Sequence, residues 1–325
     1  MLSSNADSIF WMSRYLERSG NIARYLDVNW HMTLEASDEY DTQWEPLITT
    51  TGDIDDFASR YDEASRESAI YFLTSDEDNP NSIISCTKML RLNAMRVRHI
   101  IPTEMWENIN IFYHFIKNNV KRPKRIMNNP YDFCLEVKRY NTLIGGIAFD
   151  IMDHDEKWNF FNMGRFIERS ESTTRILDVK YHVLLPSPGH VGTVLDHVQW
   201  NALLKAVDGL ESFRQRYGNT SPGKVASFLL LDRLFPSSVL FCLNQAHEHL
   251  HAISNTQTWE FSNIAEKQLG QLCNSLSYCT VDDVVEQGLH EFIDDIQIRI
   301  GKLQHAITDT FFTGKPRIEK QQFWR

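Results

Sequence analysis

Between Phe10 and Leu34 apolar residues recur every three or four positions, the period of an amphipathic helix. Set at 100° per residue, Met12, Tyr15, Leu16, Ala23, Leu26, Trp30 and Leu34 gather on one face, which the pattern assigns to a core. The other face collects Arg14, Glu17, Arg18, Asn21, Arg24 and His31. The same rhythm returns between Phe161 and Leu185 at an offset of 151 residues (168 − 17), with Arg165, Glu168, Arg169, Ser172, Arg175 and His182 on the matching polar face. Phe10/Phe161, Met12/Met163, Leu26/Leu177, Asp27/Asp178 and Val28/Val179 are also identical, and about half of the aligned positions agree. Shared helical composition does not produce that, so the chain is read as an internal repeat.

The remaining pattern predicts helices throughout. Asn5 or Asp7 is expected to cap a first helix running to about Ala36, and an acidic turn SDEYDTQ follows. Further helices are expected over about 44–61 (weak at Thr49–Gly52), 67–73, 82–99, 103–119 and 131–152, with KRPKR (Lys121–Arg125) as a basic loop. The second half replays this order at an offset of 156: Trp44/Trp200, Phe57/Phe213, Arg60/Arg216, Phe72/Phe228, Pro80/Pro236, Ser82/Ser238 and Cys86/Cys242. Past those cysteines the match fades, but helical segments continue over about 263–278 and 281–312. No sustained period-two alternation and no hairpin dipeptide appears. The expected fold is all-α, a helical bundle of two pseudo-repeats of about six helices each. The halves are 1–152 and 153–325, joined by the short Asp153–Lys157 junction into one compact domain with the two Glu-Arg helices near a pseudo-two-fold axis.

Composition narrows the class. The chain has 325 residues, 42% hydrophobic and 23% charged, as in ordinary globular proteins. A net charge of −10 argues against nucleic acid or an anionic membrane as partner. No secretory leader and no apolar run of membrane-spanning length is visible, and five cysteines without a C-x-x-C pair suit reduced thiols, so a cytoplasmic location is expected.

Chemistry is harder to read. No Walker A, G-x-G-x-x-G, G-x-S-x-G or H-E-x-x-H motif occurs, and no cofactor is called for. His247 and His251, in the cluster HEHLH, have the i,i+4 spacing of a metal clasp. Metal sites in bundles also draw carboxylates from facing helices, and the duplicate positions are Arg91 and Met95, so these histidines are read as solvated or partly buried and no metal is expected. Cys86 and Cys242 sit in apolar helical stretches, where a thiol is usually inert. Asp150, Asp153, Asp155 and Glu156 read as capping and solvation, and Lys315–Arg325 as a basic tail.

The two stripes therefore hold the candidate site: Arg14, Glu17, Arg18, Arg24 and His31, with Arg165, Glu168, Arg169, Arg175 and His182. Each could be a solvated face with pairs such as Arg14–Glu17 and Glu17–Asn21 inside one helix. Retention of Arg, Glu, Arg, Arg and His between drifted copies argues instead for a buried or ligand-facing role. Three arginines against one well-placed glutamate leave a positive surplus that an anionic group would neutralise.

On these residues, YLERSGNIARYLDVN and GRFIERSESTTRILD, the chain resembles the bacterial alpha-E family, a helical domain named for its ER motif. NPNSIISC…LRLNAMRVR (Asn79–Arg98), TEMWENIN (Thr103–Asn110) and FLLLDRLFPSSVLFCL (Phe228–Leu243) extend the resemblance over the full chain. The first more commonly reads ARENAR in the family; Arg91, Asn93, Ala94 and Arg98 fit, whereas Leu92 and Met95 depart from a Glu and an Arg. The resemblance implies a bacterial cytoplasmic protein encoded beside circularly permuted ATP-grasp and transglutaminase-like proteins, a context of peptide or amide-bond synthesis. The family's own activity is unassigned. Three readings stay open: an accessory partner of an ATP-grasp ligase whose stripes bind an anionic small molecule or peptide, an enzyme with Glu17 or Glu168 as general base, and a purely structural protein.

Overall fold

The computed structural model describes residues 1–35, 44–182 and 194–313, and the described residues are helical, without a strand. The first half runs α1 (Ser3–Glu35), α2 (Trp44–Thr51), α3 (Ile54–Arg60), α4 (Arg66–Thr74), α5 (Ile83–Arg96), α6 (Thr103–Val120), α7 (Pro123–Asn128) and α8 (Tyr131–Ile151). The second runs α9 (Glu156–His182), α10 (Val194–Ala206), α11 (Leu210–Tyr217), α12 (Pro222–Leu231), α13 (Val239–Ser254), α14 (Ile264–Ser277), α15 (Val281–Gln287) and α16 (Leu289–Ile307), ending in a π-helical turn (Thr308–Phe312). None of these helices is long and apolar enough to cross a membrane. The acidic turn at 37–43 and the tail at 315–325 lie outside the described residues, as do Leu185 and the side chains of Leu34 and His182.

Four expectations about boundaries change. The first helix begins at Ser3, so Asn5 and Asp7 lie inside its first turns instead of capping it. The 44–61 helix is broken into α2 and α3 at its weak spot, where Gly52 takes a positive φ of 79°. KRPKR is not wholly loop: Pro123 occupies the first turn of α7, where its fixed φ suits a helix and its missing N–H costs nothing. The 281–312 helix divides at Gly288, whose φ of 93° is left-handed and ends α15.

Both long helices are buried on nearly all sides. On α1 the predicted apolar face, Met12, Leu16, Ala23, Leu26 and Trp30, is buried, and so are Arg14, Glu17 and Asn21 opposite. The cause is packing: α5, α8 and α9 all lie against α1, while α13, α16 and α1 lie against α9. In addition α2 leans on α9 and α10 on α1, so that each half reaches onto the other's long helix. Trp44 and Trp200, which open α2 and introduce the last turns of α10, are fully buried.

Helices α1 and α9 run in the same direction. Successive contacts join Phe10 and Ser13 to Gly164, Glu17 to Arg165 and Arg169, and Asn21 to Ser172. Gly164 permits the approach: a Cβ there would stand 2.6 Å from the Phe10 carbonyl oxygen and 2.4 Å from Ser13 Oγ. The backbone contact cannot yield without moving the helix, so the glycine is a packing requirement.

Candidate functional site

The pairs expected within a helix, Arg14–Glu17 and Glu17–Asn21, are not made. The glutamates pair across α1 and α9 instead. Arg18 grips Glu168 with two nitrogens, Nε–Oε1 at 2.6 Å and Nη2–Oε2 at 3.0 Å. Arg169 grips Glu17 in the same way, at 2.7 and 2.9 Å. Each ER dipeptide thus supplies the glutamate for the other's arginine. These forked, charge-assisted bonds fix both partners in direction as well as distance.

The carboxylates are almost sealed from water, with side-chain exposures of 2% for Glu17 and 6% for Glu168. Burial alone would raise their pKa, but the guanidiniums outweigh it. Arg169 and Arg165 hold Glu17 at about 2, and Arg18 and Arg14 hold Glu168 at about 2. A carboxylate in that state is a poor proton acceptor at neutral pH, which weighs against the general-base role considered for either residue.

The environments of the two glutamates differ. Around Glu168, Arg14 donates to Glu168 at 2.7 Å and to Glu171 at 2.8 Å, with its side chain only 2% exposed. Arg175 donates to Glu171 at 2.6 Å and to the Thr51 carbonyl at 2.7 Å. Arg18 also reaches Asn81, which in turn donates to Asp53. Three arginines here pair with two carboxylates, Glu168 and Glu171, and Asp53 stands behind Asn81.

Around Glu17 no carboxylate stands at the position of Glu171 among the described residues. The counterpart of Glu171 is Gly20, and the space a side chain would need there is filled by Asn141 of α8, whose amide donates to the Leu16 carbonyl. Arg24 turns to Asp208, at 2.7 Å, and to Asn21. Asp208 stands where the first half has Gly52. Both take the left-handed backbone that closes a helix, and the aspartate uses that position to meet Arg24 while remaining 70% exposed. Arg165 makes no hydrogen bond among the described residues. Its nearest carboxylate oxygen, on Glu17, is 3.5 Å away, and its side chain is 29% exposed beside Gly145 of α8. Desolvation and the adjacent Arg169 push its pKa down, against the pull of Glu17. A cavity of about 230 Å³ opens on this side, lined by Glu17, Arg24, Arg169, Thr173 and Asp208; its counterpart beside Arg18 and Arg175 measures about 80 Å³.

His31 does not join the network. It is half exposed, bonded to the Asp27 carbonyl on its own helix and set edge-on against Tyr131. The side chain of His182 lies outside the described residues. Sequence reasoning missed Glu171, Asp208 and Asn81. For Glu171 a signal existed, since it is a charge at the position that holds glycine, Gly20, at the 151-residue offset. Asn81 and Asp208 lie in turns whose approach to the arginines depends on tertiary packing.

The other candidates resolve into structure. All five cysteines are free, and burial pushes the Cys86 and Cys242 thiols up to about 12, which removes them as nucleophiles at neutral pH. Asp155 caps α9 by accepting from the Lys157 amide. His249 is core, bonded to Asn159 and packed on Trp158 and Phe166. No group of three or more His, Cys, Asp or Glu side chains is placed to hold a metal ion among the described residues.

Described residues that are helical throughout, with two ER dipeptides whose buried glutamates neutralise one another's arginines, define a class of protein. The chain belongs to the Alpha-E family, described as a predicted alpha-helical domain with a conserved ER motif, whose model matches residues 1–312. Among curated relatives it is 26% identical over 262 residues to the uncharacterized protein Rv2567 of Mycobacterium tuberculosis and, equally, to the uncharacterized protein Mb2597 of Mycobacterium bovis. The alignments cover 74% of this chain but only 29% of each relative, so the chain spans less than a third of their length. No solved structure matches it.

Proposed function

We propose that this chain is a non-catalytic accessory module of an ATP-grasp peptide or amide ligase system. In this reading residues 1–152 and 153–325 are pseudo-repeats related by a two-fold axis parallel to α1 and α9, and the crossed ER pairs clasp them together. The partner, an ATP-grasp ligase or transglutaminase-like protein, presents an anionic group to the Glu17 side. One observation carries the reading: among the described residues the carboxylates paired with the three guanidiniums there are Glu17 and the largely exposed Asp208, and Arg165 keeps unused donors. A partly desolvated arginine gains most from a carboxylate or phosphate that it can fork. The length of the mycobacterial relatives also supports it, because the matched region there is carried with much additional chain.

Co-expression with the ATP-grasp protein tests the proposal. The two should co-elute on gel filtration, and Arg165→Glu should abolish co-elution while leaving the helical circular dichroism intact. In parallel, citrate, phosphate, ATP or short peptides should raise the melting temperature of the native chain, less so in Arg165→Ala. Separate elution together with no anion-induced shift would leave the stripes a purely structural device.

A further inference from the structure

Helix α13 carries three histidines, and two of them, the buried His251 and the partly exposed His247, stand outside the ER network. His247 and His251, one turn apart, point their Nε2 atoms at each other across 3.0 Å. The pair is oriented from one end. His251 Nδ1 lies 2.8 Å from Thr256 Oγ1, and that hydroxyl donates to Glu266 Oε1 at 3.0 Å. A hydroxyl has one proton to give, and Glu266 takes it. Thr256 therefore accepts from His251, the ring proton of His251 sits on Nδ1, and its Nε2 presents a bare lone pair towards His247.

Glu266 is fixed in turn. It is buried, and it accepts from the Ser262 amide at 2.5 Å at the start of α14. Facing His247 is Gly270 of α14. A Cβ at that position would lie 3.3 Å from His247 Nε2, so the glycine keeps the space beside the nitrogen clear. His247 is partly exposed, which leaves an entry path. The first-half counterparts, Arg91 and Met95, cannot form such a pair, so it is a feature of the second half alone.

We propose that His247 and His251 form a two-nitrogen site for a divalent transition metal of the Cu²⁺ or Ni²⁺ type, with Thr256 and Glu266 as the outer shell that orients His251. Two imidazole nitrogens one helical turn apart, already within 3.0 Å of each other, can occupy neighbouring positions around one ion at about 2.0–2.1 Å each once the hydrogen bond between them opens. Imidazole suits Cu²⁺ and Ni²⁺, and Cu²⁺ stands highest in the affinity order of the divalent first-row ions for such a nitrogen pair. A hydroxyl and carboxylate behind the ligand's second nitrogen are the usual support for a metal-bound histidine. Binding needs the His247–His251 hydrogen bond to break, the His247 proton to move from Nε2 to Nδ1, and both rings to turn so that their lone pairs meet at one point beside the N–N line, with water completing the coordination.

The test is titration of the full chain with Cu²⁺, read by calorimetry and by electron paramagnetic resonance. One Cu²⁺ per chain is expected, with a tetragonal signal showing coupling to two nitrogens. His247→Gln, at a partly exposed position where the fold can be verified by circular dichroism, should weaken binding at least tenfold and remove one nitrogen coupling. Thr256→Val should weaken it by about 10–100-fold, and Thr256→Ser should restore it. The absence of stoichiometric binding would overturn the proposal. So would a signal unchanged in folded His247→Gln, since the metal would then sit elsewhere.

Discussion

Replacing Glu168 by alanine should destabilise this protein by about 3–5 kcal/mol, the usual cost of removing one partner of a buried ion pair. The substitution deprives two arginines at once. Arg18 would lose both of its carboxylate bonds, and Arg14, with a side chain 2% exposed, would keep only Glu171. Glu17→Ala should cost less, because Arg165 already reaches solvent and can turn outward once its neighbour is gone. Denaturant midpoints for the two variants check both the size and the order. Losses well under 1 kcal/mol in both would describe a solvated face, for which exposed pairs contribute that little.

Acidification should remove the same stability without any mutation. The carboxyls of Glu17 and Glu168 titrate near 4.5 in an unfolded chain and at about 2 in the folded one. The folded value is the depressed one, so the stabilisation is fully present above pH 4.5 and is lost as the pH falls from there towards 2. Each glutamate contributes on the order of 3 kcal/mol across that window. Asp7 and Asp53, whose carboxyls burial pushes up, act in the opposite sense and offset part of the loss. Chemical denaturation between pH 5 and pH 2 should therefore show a steep fall in unfolding free energy. The fall should be shallower in Glu168→Gln, where one titrating group is missing; equal slopes in the variant and the native chain would exclude the glutamates as its source.

The all-helical architecture was legible because nearly every element announces itself within its own length. The apolar face of α1, the start of α5 near Ser82 and the weak spot at Thr49–Gly52 follow from local periodicity and turn chemistry, although the full break there did not. The Arg and Glu stripes also stood out in the sequence, because the same polar residues recur at an offset of 151. Their partners did not. Spacing rules see only neighbours on one helix, and so suggested Arg14–Glu17, whereas the bonds formed depend on two parallel helices brought together at Gly164. The difference between the Glu17 and Glu168 environments escaped for a related reason. It turns on Gly20 opposite Glu171 and on Asn141 reaching in from α8, and only packing relates those residues. His31, matched by His182 at the same offset, was placed with the stripe by its angle on a helical wheel. It lies two turns beyond Arg24, where α1 has left the buried contact and the ring meets solvent.

The central claim is that the ER motif works between helices, each glutamate serving the other helix's arginine. A pair of double-mutant cycles tests it most directly, one on Arg18 and Glu168 across α1 and α9, the other on Arg14 and Glu17 within α1. The crossed pair should show a coupling of about 1–3 kcal/mol, and the same-helix pair no more than the roughly 0.2–0.5 kcal/mol of an ordinary i,i+3 contact. A large coupling within α1 and none between Arg18 and Glu168 would contradict the crossed arrangement.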